Sequence, residues 1–431
     1  MISPEKRYKK SMALWKKAPQ VILNGVQTLS KSPLHIAFGA CPIFVEKAKG
    51  AYFWDCDGNR YIDYPLALGP IVLGHAYPRV DRAVKKQMKN GSLFSLSSPK
   101  EIELAELLCA MIPSAQKVKF LKSGSEAMSA AVRIARAYTQ REHVAVCGYH
   151  GWHDWTVCRT TRNVGVETTS QSLIHEFSYN DIDSLLNIIE RFPDQIAAII
   201  LEPVGMYAPK KQFLKKVAKV AKEHGALLIF DEIITGFRLS PGGAQEYFSV
   251  TPDISAFGKA MGNGYPISAL VGKKEILDEV EDKVFISSTY GGDLLAITAA
   301  IETLNIISDE NVTGHLHKLG KELQRGLGAL INETQISGSC EGLPHKTFLV
   351  FNDTDQVSGK LIQTLFRQES FARGVFLGYG HFISYSHTKK DIQFSLDMAS
   401  EVFKLIDKSI NNKTTASLLK GPIAEEVFKR Y

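Results

Sequence analysis

Between residues 118 and 272, short apolar runs alternate with longer segments of helical periodicity. The apolar runs are VKFL (118–121), VAV (144–146), IAAIIL (196–201), ALLIF (226–230), ISAF (254–257) and SALVG (268–272). The helical segments between them include residues 125–140, 181–192 and 213–225. Parallel strands that are buried on both faces are continuously apolar, and helices usually connect them. The pattern therefore predicts a largely parallel α/β sheet across residues 85–310.

The segments on either side of this region have a different pattern. Residues 40–75 alternate between apolar and polar residues around an Asp57–Gly58 turn, which predicts antiparallel strands. Residues 345–410 combine strand-like runs with a final amphipathic helix, which is typical of a small α+β module. We therefore expect residues 1–84 and 311–431 to form a small domain and residues 85–310 to form the large domain.

Composition excludes several classes of function. The net charge of +6 is spread along the chain, so we expect no nucleic-acid partner. The six cysteines have neither CxxC nor zinc-site spacing, which predicts reduced thiols and no metal site. No apolar run approaches the roughly 20 residues that cross a bilayer. The N-terminal sequence MISPEKRYKKSMALWKK also lacks the apolar segment of a signal peptide, so we expect a cytoplasmic protein with no membrane partner.

Chemically informative residues follow the predicted strands, where ligands of open α/β sheets bind. After VKFL, the sequence KSGSEAM places Gly124 and Ser125 at the start of a helix. Free N–H groups at a helix N-terminus suit a phosphate, and Ser125 adds a hydroxyl donor. Taken alone, the same residues are more typical of an ordinary capped helix.

Two further strand ends carry an acid and a lysine. Asp231 follows ALLIF, where it either needs a cation as partner or caps a turn. Lys259 follows ISAF between Gly258 and Gly262. Burial lowers the pKa of a lysine, and a neutral amine can form a Schiff base, although a surface lysine in a Gly-rich loop also fits. A phosphate turn, an acid for a ring nitrogen and a lysine for an aldehyde together match the requirements of pyridoxal phosphate.

Several sequence blocks, in order, support this interpretation. They are SGSEAMSAAVRIARAYTQRE, YHGWHD, LEPV, ALLIFDEIITGFR, GGAQEYFSVTPDI and FGKAMGNGYPISALVG. Over residues 40–405 the chain resembles the class III pyridoxal-phosphate aminotransferases, and within them the glutamate-1-semialdehyde aminomutases most closely. The resemblance implies an α/β protein of the fold-type I transferases, with a mainly parallel sheet in the large domain and a small α+β domain formed by both chain ends.

The resemblance also implies roles for individual residues. Lys259 corresponds to the lysine that carries the cofactor, and Asp231 to the acid paired with the ring nitrogen. Gly124 and Ser125 correspond to the phosphate-binding turn. Tyr149 corresponds to the aromatic residue stacked on the pyridine ring, which makes it the third predicted catalytic residue beside Lys259 and Asp231.

Other positions are carried over in the same way. Ile233 corresponds to the apolar residue on the opposite ring face, and Glu202 to the acid of an EP motif near the cofactor. Thr289 corresponds to a threonine that reaches the phosphate of the neighbouring subunit, which implies a homodimer with shared active sites. Asp293 stands where the family often has Asn. His150, in the YHG block, either lies near the ring or anchors its loop.

The chain departs from the aminomutase pattern where the substrate is expected. Ala67 and Leu68 replace Ser and Trp, His35 replaces an arginine expected to recognise a carboxylate, and Tyr379 or a neighbour replaces a glutamate. Loss of a bidentate carboxylate binder is not a neutral change. Arg238 either binds a carboxylate or forms a structural ion pair.

These departures predict an intermolecular aminotransferase with a ping-pong mechanism. Its small-molecule partners are an amino donor, such as glutamate, and a ketone or aldehyde acceptor, with a keto-sugar among the candidates. One alternative is the aminomutase reaction itself, in which the exchange is intramolecular. The other is a protein of the same fold that binds without catalysis, against which the intact Lys259, Asp231 and Tyr149 argue.

Overall fold

The computed structural model describes residues 3–427, and the chain divides into two compact units. Unit 1 comprises the residues up to 68, residues 73–77 and residues 314–427, whereas unit 2 comprises residues 69–72 and 78–313. Across the described part of the chain, none of the helices combines the length and the apolar character that a bilayer span requires.

The strands are short and are numbered here in chain order. They are β1 Val45–Lys49, β2 Tyr52–Asp55, β3 Arg60–Asp63, β4 Lys117–Leu121, β5 His143–Cys147, β6 Ile174–Glu176, β7 Ile196–Leu201, β8 Leu227–Asp231, β9 Ile254–Phe257, β10 Ser268–Gly272, β11 Gly338–Leu343, β12 Lys346–Phe351, β13 Val375–Phe376 and β14 His381–Phe382.

The α-helices range from single turns to more than five turns. They are α1 Pro4–Arg7, α2 Lys9–Trp15, α3 Ala18–Val21, α4 Pro78–Met88, α5 Pro99–Met111, α6 Gly124–Thr139, α7 Asp154–Val157, α8 Thr168–Leu173, α9 Ile182–Arg191, α10 Phe213–Glu223, α11 Gly243–Phe248, α12 Lys274–Val280, α13 Leu294–Asp309, α14 Val312–Asn332, α15 Gly359–Ala372 and α16 Lys389–Asn411. Short 3-10 turns include Leu66–Leu68 and Lys259–Gly262.

The large sheet of unit 2 has the strand order β4-β10-β9-β8-β7-β5-β6. Strands β6, β5, β7, β8 and β9 pair in parallel, which confirms the predicted, largely parallel sheet. Strand β10 is antiparallel to both β4 and β9, so its grouping with the parallel strands was wrong. The connection from β9 to β10, residues 258–267, is shorter than the dozen or so residues that a parallel crossover needs.

Helices cover both faces of this sheet. Val144 and Ile200 belong to one buried cluster, together with apolar residues of α6 and α12. Their neighbours Ala145 and Ile199 belong to a second cluster, together with residues of α9 and α10. Because successive side chains of a strand point to opposite faces, both faces must be apolar. Polar side chains are therefore concentrated where the strands end.

Unit 1 contains the sheets β1-β2-β3-β13 and β11-β12-β14. Strands β1 to β3 are the antiparallel strands predicted in residues 40–75, whereas β13 pairs in parallel with β3. Phe53 and Tyr61 stack with ring centroids 5.0 Å apart and share a buried cluster with Phe371 of α15. Residues from both ends of the chain thus build one α+β core.

Candidate active site

A capping box begins α6 one residue before the predicted phosphate turn. The Ser123 hydroxyl accepts the Glu126 N–H at 3.3 Å, and the Glu126 carboxylate accepts the Ser123 N–H at 2.7 Å. Ser125 is buried, and its Oγ accepts the Trp152 N–H at 3.3 Å. The cap therefore uses Ser123 and Glu126, so a capped helix and a phosphate site at Gly124–Ser125 are compatible with each other.

The chain following Tyr149 passes directly over Ser125. Gly151 has a φ of +108°, and a Cβ built on it would lie 2.3 Å from Ser125 Oγ. Only glycine fits there, because the left-handed backbone and the close approach both exclude a side chain. Sequence reasoning noted this loop but had no signal for the contact.

Asp231, at the end of β8, is paired with His150. The distance from Asp231 Oδ2 to His150 Nδ1 is 2.8 Å, and the two side chains are only 6% and 1% exposed. The other carboxylate oxygen accepts the Ile233 N–H at 3.1 Å. Both oxygens of the acid therefore have a hydrogen-bonding partner in the interior. This pairing is compatible with both interpretations given to His150, since it brings the imidazole to Asp231 and also ties the loop of His150 to β8.

Burial also leaves one atom of His150 without a partner. Within residues 3–427, its Nε2 is buried and has no hydrogen-bond partner. In the tautomer whose Nδ1–H donates to Asp231, Nε2 is an acceptor without a hydrogen-bond partner among the described residues. A buried polar atom of this kind is uncommon in folded proteins and marks functional sites among other places.

Ile233 contacts residues from all three predicted strand-end segments, those of Gly124, Asp231 and Lys259. A Cβ at Gly124 would lie 3.0 Å from its Cδ1, and a Cβ at Gly258 would lie 3.1 Å from the same atom. The isoleucine side chain thus contacts both the start of α6 and the residue before Lys259. The Ser268 hydroxyl reinforces the arrangement by donating to the Ser123 carbonyl at 2.8 Å.

Lys259 leaves the sheet beside Asp231. Asp231 and Ala256 are register partners of the parallel pair β8–β9, so Lys259 comes three residues after the position opposite Asp231. Lys259 is half-buried and has a φ of +42° at the start of its 3-10 turn. For a residue with a side chain, this left-handed conformation costs about 1–2 kcal/mol. Such strain clusters at functional sites.

Tyr149 and Glu202 lie together in unit 2. The Tyr149 N–H donates to Glu202 Oε1 at 3.2 Å, and both residues line a cavity of about 620 Å³ with Met206 and Tyr207. Tyr149 is 43% exposed. Glu202 therefore holds the backbone that presents Tyr149.

Thr289 differs from the buried predicted residues in its exposure. It lies in an exposed turn before α13, whereas Ser125 and Asp231 are buried. Asp293 caps α13 through the Leu295 N–H at 3.0 Å and pairs with Lys122 Nζ at 2.8 Å. An asparagine at this position could form the cap but would lack the charge for Lys122.

Two other charged residues near β8 hold backbone segments. Arg238 is fully buried and donates from Nε and Nη2 to the Gly69 carbonyl at 2.8 and 2.5 Å, and burial lowers its pKa to about 9. Glu232 accepts the Ala244 and Gln245 N–H groups at 2.8 and 2.9 Å, and burial raises its pKa. These contacts favour structural roles for both.

The residues that depart from the aminomutase pattern all lie in unit 1, but they do not all line the same cavity. Ala67, Leu68 and Tyr379 line one cavity of about 380 Å³. His35 is buried instead, with its Nδ1 3.1 Å from the Glu425 carbonyl oxygen. The structure therefore places His35 in the interior of the unit, and sequence position alone did not separate it from the cavity residues.

The strand-end residues of unit 2 fit a phosphorylated pyridine aldehyde. Backbone N–H groups at the start of α6 and the Ser125 hydroxyl suit a phosphate. The Asp231 carboxylate suits a protonated ring nitrogen, and the Lys259 amine suits an aldehyde. The described residues contain no group of three or more His, Cys, Asp or Glu side chains that could hold a metal ion.

The chain is similar to known proteins over most of its length. Residues 36–364 match the family described as aminotransferase class III. The chain is 37% identical over 410 residues to a 3-aminobutyryl-CoA aminotransferase of Cloacimonas acidaminovorans, covering 93% of this chain and 98% of the relative. It is also 37% identical over 427 residues to a glutamate-1-semialdehyde 2,1-aminomutase of Alkaliphilus oremlandii, covering 91% and 98%. The solved structure of FumI from Sphingopyxis sp. MTA144, a PLP internal aldimine form, matches with a TM-score of 0.88, 27% identity and coverage of 95% and 100%.

Proposed function

Since the chain belongs to the class III family of pyridoxal-phosphate-dependent aminotransferases, we propose that it transfers an amino group from a donor such as glutamate to a ketone or aldehyde acceptor. The mechanism is ping-pong: the donor leaves its amino group with the enzyme before the acceptor collects it. The observation that carries the proposal is the meeting of Gly124, Asp231 and Gly258–Lys259 around Ile233.

The chemistry divides between the cofactor and the chain. Bound pyridoxal phosphate supplies an aldehyde that takes the amino group and a ring that withdraws electrons from the reacting carbon. Lys259 would hold the cofactor and, once its amine is released, would move a proton between the substrate carbon and the carbon of the cofactor that carries the amino nitrogen. Asp231, which is paired with His150, would hold the proton on the ring nitrogen of the bound cofactor. Tyr149 and Ile233 would cover the two faces of the bound ring.

The remaining predicted residues anchor the cofactor. Gly124 and Ser125 bind the phosphate at the start of α6, and Glu202 positions the Tyr149 backbone. We propose that Thr289 of the partner subunit also reaches the phosphate, which its exposure in the single chain supports. The proposal therefore includes a homodimer with shared active sites, in the cytoplasm.

The acceptor is proposed to lack the carboxylate that an aminomutase recognises. Leu68 and Tyr379, which depart from the aminomutase pattern, line a cavity of unit 1. One relative is named for 3-aminobutyryl-CoA, and the corresponding acceptor would carry a ketone in place of the amine. A keto-sugar, a β-keto acid derivative and a simple aldehyde are the acceptor classes to test.

The test begins with the visible absorbance of the purified protein. Addition of an effective amino donor should bleach the cofactor band, and addition of an effective acceptor should restore it. A Lys259→Ala variant is the matched control, because it should bind cofactor without catalysing either change at the wild-type rate. A protein that binds no cofactor, even when cofactor is supplied, would instead support the binding-protein alternative.

The aminomutase reaction is the second candidate. A relative of that name has the same 37% identity as the aminotransferase, so identity does not separate them. Purified protein should then convert glutamate-1-semialdehyde to aminolevulinate without any added donor. Full conversion at a rate above that of all intermolecular pairs would replace our proposal with this one.

A further inference from the structure

We propose that Ser129 is a positioning residue, which acts on the candidate active site through Trp155 and His150. It holds the Trp155 side chain, and this side chain keeps the His150 ring against Asp231. The inference rests on the proposed function, because its effect on the cofactor depends on the role given to Asp231.

The His150 ring has one hydrogen bond to hold it. Its Nδ1 lies 2.8 Å from Asp231 Oδ2, whereas its Nε2 is buried and has no hydrogen-bond partner within residues 3–427. The torsion about the Cβ–Cγ bond of a histidine is broad, so the side chain itself restrains the ring only weakly. Rotation of the ring would take Nδ1 away from the carboxylate. Packing around the ring must therefore supply much of the restraint.

Trp155 provides a flat surface for this packing. Its ring plane is 5° from that of His150, and the two ring centroids are 6.2 Å apart, which is an offset, parallel arrangement. Trp155 is 9% exposed and belongs to the buried cluster on the α6 face of the large sheet. A large, rigid ring that is fixed in a close-packed core leaves His150 little freedom to rotate.

Ser129 fixes the orientation of Trp155. The Trp155 Nε1–H donates to Ser129 Oγ at 2.9 Å, and His153 Nδ1 lies 2.7 Å from the same oxygen. A hydroxyl can accept two hydrogen bonds and donate one, so it serves both partners in either tautomer of His153. Because Ser129 belongs to α6, these contacts tie Trp155 to the helix that begins at the predicted phosphate turn.

A second contact joins the same loop to α6, because the Trp152 N–H donates to Ser125 Oγ at 3.3 Å. Two routes from Ser129 to the site therefore exist, one through Trp155 and His150 and one through Ser125. The proposal assigns the effect to the first route. A double-mutant cycle with His150 separates the two, since residues that act through one another do not have additive effects.

Cofactor affinity is the first readout, measured by titration of the apoprotein. Ser129→Ala should weaken it by about three- to tenfold, the range for the loss of one ordinary hydrogen bond, and Ser129→Thr, which keeps the hydroxyl, should recover most of it. Thr139→Ala is the matched control, since Thr139 also lies in α6 and its hydroxyl donates to the Ala135 carbonyl within that helix at 2.7 Å. It should leave the affinity unchanged.

The double variant decides the route. When Ser129→Ala is added to His150→Leu, no further loss of cofactor affinity is expected. A further loss of about three- to tenfold would show that Ser129 acts by another route, and it would overturn the proposal.

Proton NMR of the apoprotein with isotope-labelled histidine gives a second readout, which does not need the cofactor. The buried Nδ1–H of His150 should give a slowly exchanging downfield signal that is absent from His150→Leu. In Ser129→Ala this proton should exchange with solvent at least about tenfold faster, because the ring opens more often. Trp155→Phe, which keeps an aromatic ring without the N–H, should have the same effect and provides the test if Ser129→Ala does not fold.

The two readouts separate this inference from the function on which it rests. If the wild type binds no cofactor, the aminotransferase proposal fails, while the NMR comparison still decides the role of Ser129. If the wild type binds cofactor but neither its affinity nor the His150 signal responds to Ser129→Ala, the inference alone is overturned. A wild type without the His150 signal would also overturn it, since the contact with Asp231 would then be missing.

Discussion

Replacing Gly151 by alanine tests the contact between its loop and Ser125. Alanine would add two costs to the native state. The first is the left-handed backbone at φ +108°, which costs a residue with a side chain about 1–2 kcal/mol. The second is steric, since the new Cβ would lie 2.3 Å from Ser125 Oγ and 2.9 Å from Ser125 Cα. Relief of such overpacking typically costs a further 1–3 kcal/mol, so we expect a total of about 2–5 kcal/mol.

Gly165→Ala is the matched control for the backbone term. Gly165 has a φ of +94°, but a Cβ there meets no atom within 4 Å. Its substitution should cost only about 1–2 kcal/mol. The difference between the two variants isolates the contact with Ser125.

Urea unfolding of both variants without cofactor measures these costs. A cofactor titration then tests function, because displacement of Ser125 should weaken cofactor binding in Gly151→Ala and not in Gly165→Ala. Equal unfolding free energies, together with equal cofactor affinities, would refute the predicted contact and the assignment of Ser125 to the phosphate site.

Three further predictions follow from the buried histidines and the exposed turn. His150→Leu should weaken cofactor binding by about 10- to 100-fold, which is the range for a lost hydrogen bond to a charged group such as Asp231. His150→Asn should recover part of this affinity, if its amide replaces the Nδ1–H group. Equal cofactor affinities of the wild type and His150→Leu in a titration would contradict this prediction. Burial lowers the pKa of fully buried His387 to about 4, so the unfolded chain takes up this proton before the folded protein does as the pH falls. The free energy of unfolding, measured in urea, should therefore decrease by about 3 kcal/mol between pH 6.5 and pH 4. The His387→Gln variant should lack this decrease. Parallel pH profiles of the two proteins would exclude it. If active sites are shared, mixing the inactive Lys259→Ala variant with Thr289→Ala should restore activity, because a mixed dimer has one site with both residues intact. In a random dimer population this is up to about a quarter of all sites. No recovery of activity after subunit exchange would argue against a contribution from Thr289 of the partner subunit.

Periodicity alone predicted much of unit 2. The runs 196–201 and 254–257 coincide with β7 and β9, and the segment 125–140 differs from α6 by one residue at each end. These elements could be predicted because strands that are covered on both faces must be apolar throughout. The apolar residues of an amphipathic helix likewise recur with a period of 3.6 residues. Since polar residues are then excluded from the strands, Asp231 and Lys259 stood out at the strand ends.

The sequence predicted less of unit 1, because the pairing of its strands depends on residues that are distant along the chain. Strand β13 has two residues, Val375–Phe376, too few to show any period, and it is defined by parallel pairing with Ile62 and Asp63 of β3. The direction of β10 was likewise missed, since its composition is that of a buried strand and only the length of the preceding connection distinguishes it.

The sequence by itself therefore determined the α/β class and the chemical types at the strand ends, since composition and local period encode both. Tertiary structure alone decided that His150 pairs with Asp231, that Gly151 covers Ser125, and that Leu68 but not His35 lines the unit 1 cavity. Each of these is a contact between side chains or loops whose separation along the chain carries no periodic signal. Such contacts exist only once the packed core has set the distances between the elements.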